Sequence, residues 1–385
     1  MNPVAVLGGG PAGAFAARQL AQAGIPTTIF DEKLAWEKPC GGGVTYKAYS
    51  QYPFLLESGL HRSVTRTCLD NVESGPVRLT LAQPMLIFSR RELNQLLLDR
   101  AQQAGATLRQ ARVTGIERES GGWRIHTAQG PERAQFLIVA TGARNPLRDA
   151  GTRYTAADSM TALGYFIPRA QQHVDIEFFP DFEGYIWIFP RRDHLSAGIC
   201  GKGLPASEMR ARLEAYLDRR RISRSGASFY AHMLPSLSAA AWPANNMAGD
   251  GWLAAGDAAG LVDPVTGEGI YYAMRSGELA GRLVAEGRPE AYAAQIRAEF
   301  ADDLAYASTL APRFFHGRYL FGANTTRLLQ FLRRSPRLAA IMQELFAGTL
   351  PYHHLRSRIK DSLHLTLSEI GVNLFLRRIV TEGIE

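Results

Sequence analysis

Glycines at positions 8, 10 and 13 and an acid at 31 are residue types that together can hold a phosphate and a ribose. Gly8, Gly10 and Gly13 keep the G-x-G-x-x-G spacing. One such glycine permits a tight turn, one lets backbone approach a pyrophosphate, and one lets a helix pack closely on a strand. The helix that follows would present unpaired N–H groups and the positive end of its dipole to the phosphates. Asp31, 23 residues after Gly8, is placed to accept from adenosine ribose hydroxyls. A second chemical stretch is Cys40-Gly41-Gly42-Gly43, a thiol beside backbone that carries no side chains, which implies that something flat or bulky lies close. A third is "GYIWIFP", where Tyr185, Trp187 and Phe189 alternate and so share one side of a strand. They read either as the wall of a lipid channel or as core of a sheet. A fourth is Gly256-Asp257, followed by a Pro- and Gly-rich loop and a helix beginning near Gly267-Glu268-Gly269. Alone, Asp257 would read as an ordinary helix N-cap.

The elements needed to position these groups are legible. Val4, Val6 and Leu7 form a short buried strand, Gly24 suits a helix C-cap, and Thr27 to Phe30 make the next strand. "SRRELNQLLLDRAQQAGA" is a helix with Ser89 at the N-cap and Glu92 three residues later. Val113 to Glu119 and Trp123 to Ala128 predict a hairpin, and the apolar run "FLIVATG" at 136–142 predicts a buried parallel strand. Residues 174–200 give three β-rich runs of a second sheet, and after Gly267 the pattern is helical almost to the end. No internal repeat interrupts it.

Composition narrows the class. The 385 residues are 46% apolar, enough for two or three packed regions. Three cysteines, Cys40, Cys68 and Cys200, give no disulfide framework and point to a reducing compartment. With Pro3 entering a strand and no apolar run of the ~18 residues a spanning helix needs, a cytoplasmic location is expected. No Cys/His spacing suggests a metal, and no Gly-x-Ser-x-Gly nucleophile signature is present. The net charge is +7, yet nine Lys or Arg against Glu344 alone between Arg313 and Lys360 leave that stretch at +8 and the rest at −1. This is either a solvated helical face or a surface seeking anionic lipid or a pyrophosphate-bearing substrate, with peripheral attachment to the inner face of a membrane. Nucleic acid is not expected, because no binding motif accompanies the charge.

The N-terminal glycine motif and the late strand–Gly–Asp–helix together resemble the flavoprotein superfamily that includes p-hydroxybenzoate hydroxylase. "KPCGGGV", "GYIWIFP" and "GEGIYYAMRSGELAG" narrow the resemblance to geranylgeranyl reductases, and "TTIFDEKLAWEKPCGG" is similar to the chlorophyll-biosynthetic members. The similarity runs over roughly residues 3 to 285. It implies an α/β fold: a Rossmann-like FAD-binding domain at 1–50, 86–160 and 250–287, a β-sheet substrate domain at 51–85 and 161–249, and a C-terminal helical region at 288–385.

The resemblance also assigns roles. Gly8, Gly10, Pro11, Ala12 and Gly13 would hold the FAD pyrophosphate and Asp31 the adenosine ribose, with Glu32, Lys33 and Val113 among the cofactor-binding residues. Arg90, Thr141 and Gly142 would meet the cofactor, as would Asp257 with Gly256 at the ribityl chain. Pro264, Gly267, Glu268, Gly269 and Ile270 would face the ring, where a helix N-terminus stabilises negative charge on reduced flavin. Cys40, Gly41 and Gly42 would lie along the isoalloxazine, with Cys40 toward the reaction space or, alternatively, a small buried hydrophobe.

The implied reaction saturates isolated C=C bonds of a geranylgeranyl or polyprenyl chain by flavin hydride and a proton. Cys40, Tyr185 and Trp187 are the catalytic candidates, and Tyr185, Trp187, Phe189 and His232 the substrate contacts. NADPH or ferredoxin would reduce the flavin. The alternative is a flavin monooxygenase or halogenase of the same superfamily. The residues do not select the head group on the prenyl chain, the number of bonds reduced, the proton donor or the oligomeric state.

Overall fold

A computed structural model describes residues 3–147, 150–319 and 321–376, and residues 377–385 of the expected C-terminal region lie outside these. The chain divides into two compact units. The first comprises residues 1–38, 90–159 and 233–305, the second residues 39–89, 160–232 and 306–385. These bounds differ from the expected ones in several places. Residues 39–50 and 86–89 join the second unit because strand Gly43–Val44 pairs with strand Val77–Phe88 of its sheet. Residues 233–249 and 288–305 join the first, and the chain from 306 packs into the second unit rather than forming a third.

The first unit is built on a six-stranded sheet in the order Ala248–Gly249, Trp252–Ala254, Phe136–Val139, Val4–Leu7, Thr27–Asp31, Thr107–Gln110. Every pairing but the first is parallel. Strand Val4–Leu7 is buried at all four positions, as a central strand covered on both faces must be. The chain leaves it at Gly8, whose φ is +116°, and a Cβ there would lie 2.2 Å from the Ala140 carbonyl oxygen. Helix Pro11–Gln22 follows, with Pro11 pre-set for the first turn.

That helix packs on helix Ile270–Ala285 backbone to backbone: a Cβ on Gly277 would sit 2.0 Å from the Ala12 oxygen, and one on Gly281 2.4 Å from the Ala16 oxygen. Residues 113–134 form a three-stranded sheet rather than a hairpin alone, because Gly130–Ala134 returns along Gly122–Thr127. Helix Arg90–Gln103 starts where the Glu37 carboxylate accepts the backbone N–H groups of Arg90 and Arg91, at 2.9 and 3.4 Å. This long-range cap has no local sequence signal.

The second unit contains an eight-stranded, largely antiparallel sheet. Its central strands are Val174–Phe178, Glu183–Pro190 and Leu195–Lys202, with Ser159–Ile167 and Ser228–Pro235 beyond them. One face packs on helix Ala206–Arg219, so Ile186, Ile188, Ile199, Leu213 and Tyr216 are fully buried together. Period two then puts Tyr185, Trp187 and Phe189 on the other face. His232 lies in strand Ser228–Pro235, because "SFYAHMLP" completes that sheet. The late helical tract is interrupted by a two-residue-strand hairpin, Arg318–Tyr319 with Gly322–Ala323.

Candidate cofactor and substrate sites

In the first unit, five parallel strands end at one edge of the sheet, and the predicted residues follow three of those ends: Gly8 after Leu7, Thr141-Gly142 after Val139, and Gly256-Asp257 after Ala254. A fourth strand ends in Asp31 itself. Ligands of open α/β sheets bind at such carboxyl ends. A Cβ on Gly10 would meet nothing within 4 Å, and no side chain caps the helix that begins at Pro11. Gly8 and Gly13 answer to packing instead, since a Cβ on Gly13 would lie 1.9 Å from the Gly8 oxygen.

Asp31 is oriented by the chain. Its Oδ2 accepts from the Gly9 N–H at 2.7 Å, and its Oδ1 accepts from Lys33 and Leu34, each at 2.7 Å. A carboxylate has about four acceptor positions, so one remains for a hydroxyl. Glu32 is half-exposed and lies 4.0 Å from the Arg112 guanidinium. The backbone N–H of Ala111 donates to the Asp31 oxygen at 3.0 Å, carrying the chain past that strand end to Val113. Arg90 is buried, with its Nη2 donating to Asn94 Oδ1 at 3.3 Å.

Asp257 is held from two sides. Lys38 Nζ lies 3.1 Å from its Oδ2, and the Tyr154 hydroxyl donates to its carbonyl oxygen. Burial, then the Asp257 charge, pushes the Tyr154 phenol well above its ordinary value, so it remains a donor. A Cβ on Gly142 would come 3.9 Å from the same Lys38 Nζ. The loop through Pro264 to Gly269 is shaped by buried Asp263, whose Oδ1 accepts from Val265 and Thr266 at 2.8 and 3.0 Å. The last helix then opens at Ile270 after Gly269, with no side-chain cap.

Two uncapped helix N-termini, two glycine turns and Asp257 therefore belong to one sheet edge. These features fit the diphosphate and ribityl parts of FAD: donors and bare backbone for phosphate oxygens, carboxylates for hydroxyls. Lys38, Tyr154 and Asp263 were not read from the sequence. Each acts through a contact distant in sequence or inside a loop, and only the Asx pattern of "DPVTGEG" was a local sign of the last.

In the second unit, the Cys40 loop lies on the aromatic strand. The ring of Phe189 covers Gly41, where a Cβ would approach it to 2.1 Å, and reaches Gly43 at 3.6 Å. Gly42 has φ +85°, and a Cβ there would lie 2.1 Å from the Phe88 oxygen. Phe189 is thus the flat group that excludes a side chain at Gly41, and the Phe88 carbonyl excludes one at Gly42. Trp187 lies across Gly198 of the neighbouring strand, where a Cβ would meet its ring at 2.2 Å, and Tyr185 meets Trp187 edge-on at 6.2 Å. Phe178 and Phe314 extend the same aromatic set. Cys40 is half-buried, and its sulfur accepts from the Gly42 N–H at 3.3 Å. Cys68 and Cys200 are buried, and burial pushes their thiols up to about 11 and about 12.

Sheet order and strand-end glycines define an α/β fold with a ligand-binding sheet edge, and the chain belongs to the FAD dependent oxidoreductase family, whose model matches residues 81–286. Among its relatives is the chloroplastic geranylgeranyl diphosphate reductase of Arabidopsis thaliana, 27% identical over 319 residues, 74% of this chain and 66% of that protein's length. The chain thus spans about two thirds of the plant relative. Among solved structures, a geranylgeranyl bacteriochlorophyll reductase-like protein from Thermoplasma acidophilum matches with TM-score 0.68 at 19% identity, over 94% of this chain and 98% of the other. A flavin-dependent brominase matches with TM-score 0.70 at 14% identity, over 94% and 99%. The fold is that of p-hydroxybenzoate hydroxylase-like flavoproteins.

Proposed function

We propose that this FAD-dependent oxidoreductase saturates isolated C=C bonds in a polyprenyl chain. The observation that carries the proposal is the thiol loop lying on an aromatic strand within the second unit, Cys40 beside Phe189 and Trp187. Such bonds are electron-rich, so hydride alone does not attack them. Reduced FAD, when bound, supplies the hydride. The chain must supply the proton, a dry surface and fixed geometry.

Cys40 is the proposed proton donor, as a half-buried thiol whose sulfur accepts only a weak bond from the Gly42 N–H. Protonation puts positive charge on the more substituted carbon, and the π-faces of Tyr185 and Trp187 would stabilise it. Each bond reduced would consume one proton and one hydride. His232 would contact substrate from its strand. In the first unit, Gly10 and the helix starts at Pro11 and Ile270 would bind phosphate and ring carbonyl, and Asp31 and Asp257 the hydroxyls. Arg90, Val113, Thr141 and Gly142 would complete the cofactor contacts. NADPH or ferredoxin is the proposed source of electrons.

A membrane surface is the proposed location of the substrate. No helix among the described residues is long and apolar enough to cross a bilayer. Helix Tyr352–Phe375 nevertheless carries Ile359, Leu363, Leu367 and Leu374, 39% to 58% exposed, on one stripe. Lys360 flanks it, Arg356 interrupts it near its start, and the stretch from 313 to 360 keeps its excess of cations. An apolar stripe with cationic neighbours suits an interfacial helix on anionic lipid.

The deciding experiment incubates dithionite-reduced protein with geranylgeranyl diphosphate and reads products by mass spectrometry. Gain of paired hydrogens supports the proposal. Gain of oxygen or halogen in aerobic, NADPH- and halide-supplied reactions would replace it with the oxygenase or halogenase reading, for which the brominase-like fold is the favouring observation.

A further inference from the structure

Arg191 is the largest of the fully buried side chains, at 0% exposure. A buried cation is costly unless it is fully engaged, so its partners state what it does. Nη2 donates to the carbonyl oxygen of Cys40 at 2.5 Å. Nη1 lies 3.3 Å from His194 Nε2, and His194 Nδ1 lies 2.7 Å from Asp193 Oδ1. Because a guanidinium only donates, Nε2 must accept, which puts the imidazole proton on Nδ1, toward Asp193. The guanidinium plane sits over the Phe166 ring at 5.0 Å.

A second arm reaches the same oxygen. Ser196 Oγ donates to Cys40 O at 2.8 Å, and that hydroxyl is itself bracketed by Tyr230 OH at 3.1 Å and Trp187 Nε1 at 3.4 Å. Burial pushes the Tyr230 phenol up, so it remains protonated.

We propose that Arg191 and Ser196 form a clamp on the Cys40 carbonyl that fixes the direction of the Cys40 thiol, with Arg191 the positioning residue. Two charge-assisted or hydroxyl donors on one carbonyl oxygen lock the peptide that follows Cys40. Gly41 and Gly42, which fit only because they lack side chains, offer that peptide no restraint of their own. The clamp also ties the thiol loop to Trp187 through one hydroxyl, so thiol and aromatic face move together. This rests on the reductase reading only for its purpose. The clamp itself is a statement about where the Cys40 backbone is held.

The test uses full-length FAD-loaded protein and variants R191K, R191M and S196A. The rate of Cys40 alkylation by iodoacetamide is mapped by mass spectrometry, with Cys68 and Cys200 as buried references. Turnover on geranylgeranyl diphosphate is measured alongside. The expected result for R191M is a Cys40 alkylation rate changed at least about tenfold while Cys68 and Cys200 stay protected. R191K should fall between R191M and the parent, because it keeps the charge and loses the fork. S196A should give a smaller change in the same direction.

An unchanged Cys40 rate in both R191K and S196A overturns the clamp. So does parallel exposure of all three thiols, which would mark a purely structural arginine. Should R191M fail to fold, R191K and S196A still decide. Altered Cys40 reactivity with unchanged turnover keeps the clamp and removes Cys40 from the chemistry, so the two failures are told apart.

Discussion

Cys40 and Glu177 show how burial sets the task of a single ionisable group. If the half-buried thiol of Cys40 delivers the proton, C40A with normal flavin content should lose about 10²-fold in turnover, the usual size of a general-acid contribution. Turnover equal to the parent would exclude a chemical role. Glu177 is 1% exposed, and burial raises its carboxyl from 4.5 to about 7 against the pull of Arg219, whose Nη2 donates at 2.6 Å. A carboxyl raised on folding binds more protons in the native state between these two values. Its contribution to stability is therefore present below about pH 4.5 and lost as pH rises through about 7. Relative to the parent, E177Q should gain stability between pH 5 and pH 8. The gain is on the order of 2 kcal/mol. Urea titrations at the two pH values measure it; a constant difference would refute the assignment.

At the scale of elements, the contact of helices Pro11–Gln22 and Ile270–Ala285 would carry the proposed cofactor site, since both helices begin at the sheet edge assigned to it. Gly277 permits that contact, with space for no Cβ above Ala12. G277V should therefore cost about 3 kcal/mol in denaturant unfolding, the upper range for overpacking, and should weaken FAD binding by at least about tenfold. A surface change such as Gln22→Ala on the first helix should do neither. Unaltered FAD affinity in a destabilised G277V would separate the helix contact from the site. The same logic explains the glycines of the thiol loop. Gly41 and Gly42 are needed by Phe189 and by the Phe88 carbonyl, so the pattern "CGGG" reports internal packing as well as chemistry.

For the molecule as a whole, charge and exposed carbon are concentrated late in the chain. Some cations there have local work: Arg358 pairs with Glu344 at 2.7 Å, Arg337 with Glu369 at 2.9 Å, and Arg333 donates to the Pro76 oxygen at 2.9 Å. The apolar stripe of helix Tyr352–Phe375 is then the larger part of any lipid attachment. Co-sedimentation with phosphatidylglycerol-containing vesicles should fall about tenfold or more in L363D/L367D and should weaken with salt in the parent. Binding indifferent to both changes would count against a lipid surface, and a monomer–dimer equilibrium abolished by the same variant would assign the stripe to a second copy.

Local rules made much of this protein readable. The spacing of Gly8, Gly10 and Gly13, the acid at the end of the second strand, and Gly256-Asp257 before a helix follow from what backbone turns and helix ends require. Period two put Tyr185, Trp187 and Phe189 on one face. What the sequence did not disclose are partners distant along the chain: Glu37 capping the helix at Arg90, Tyr154 and Lys38 on Asp257, Arg191 and Ser196 on Cys40. Unit boundaries belong to the same group, because a two-residue strand such as Gly43–Val44 has no periodicity to read and takes its place only by pairing with Leu86 and Ile87. Sequence alone settled which residues can turn, cap or stack, since those are properties of short segments. Tertiary structure decided which buried polar group meets which, since a hydrogen-bond partner is chosen by proximity in space and leaves no spacing to count.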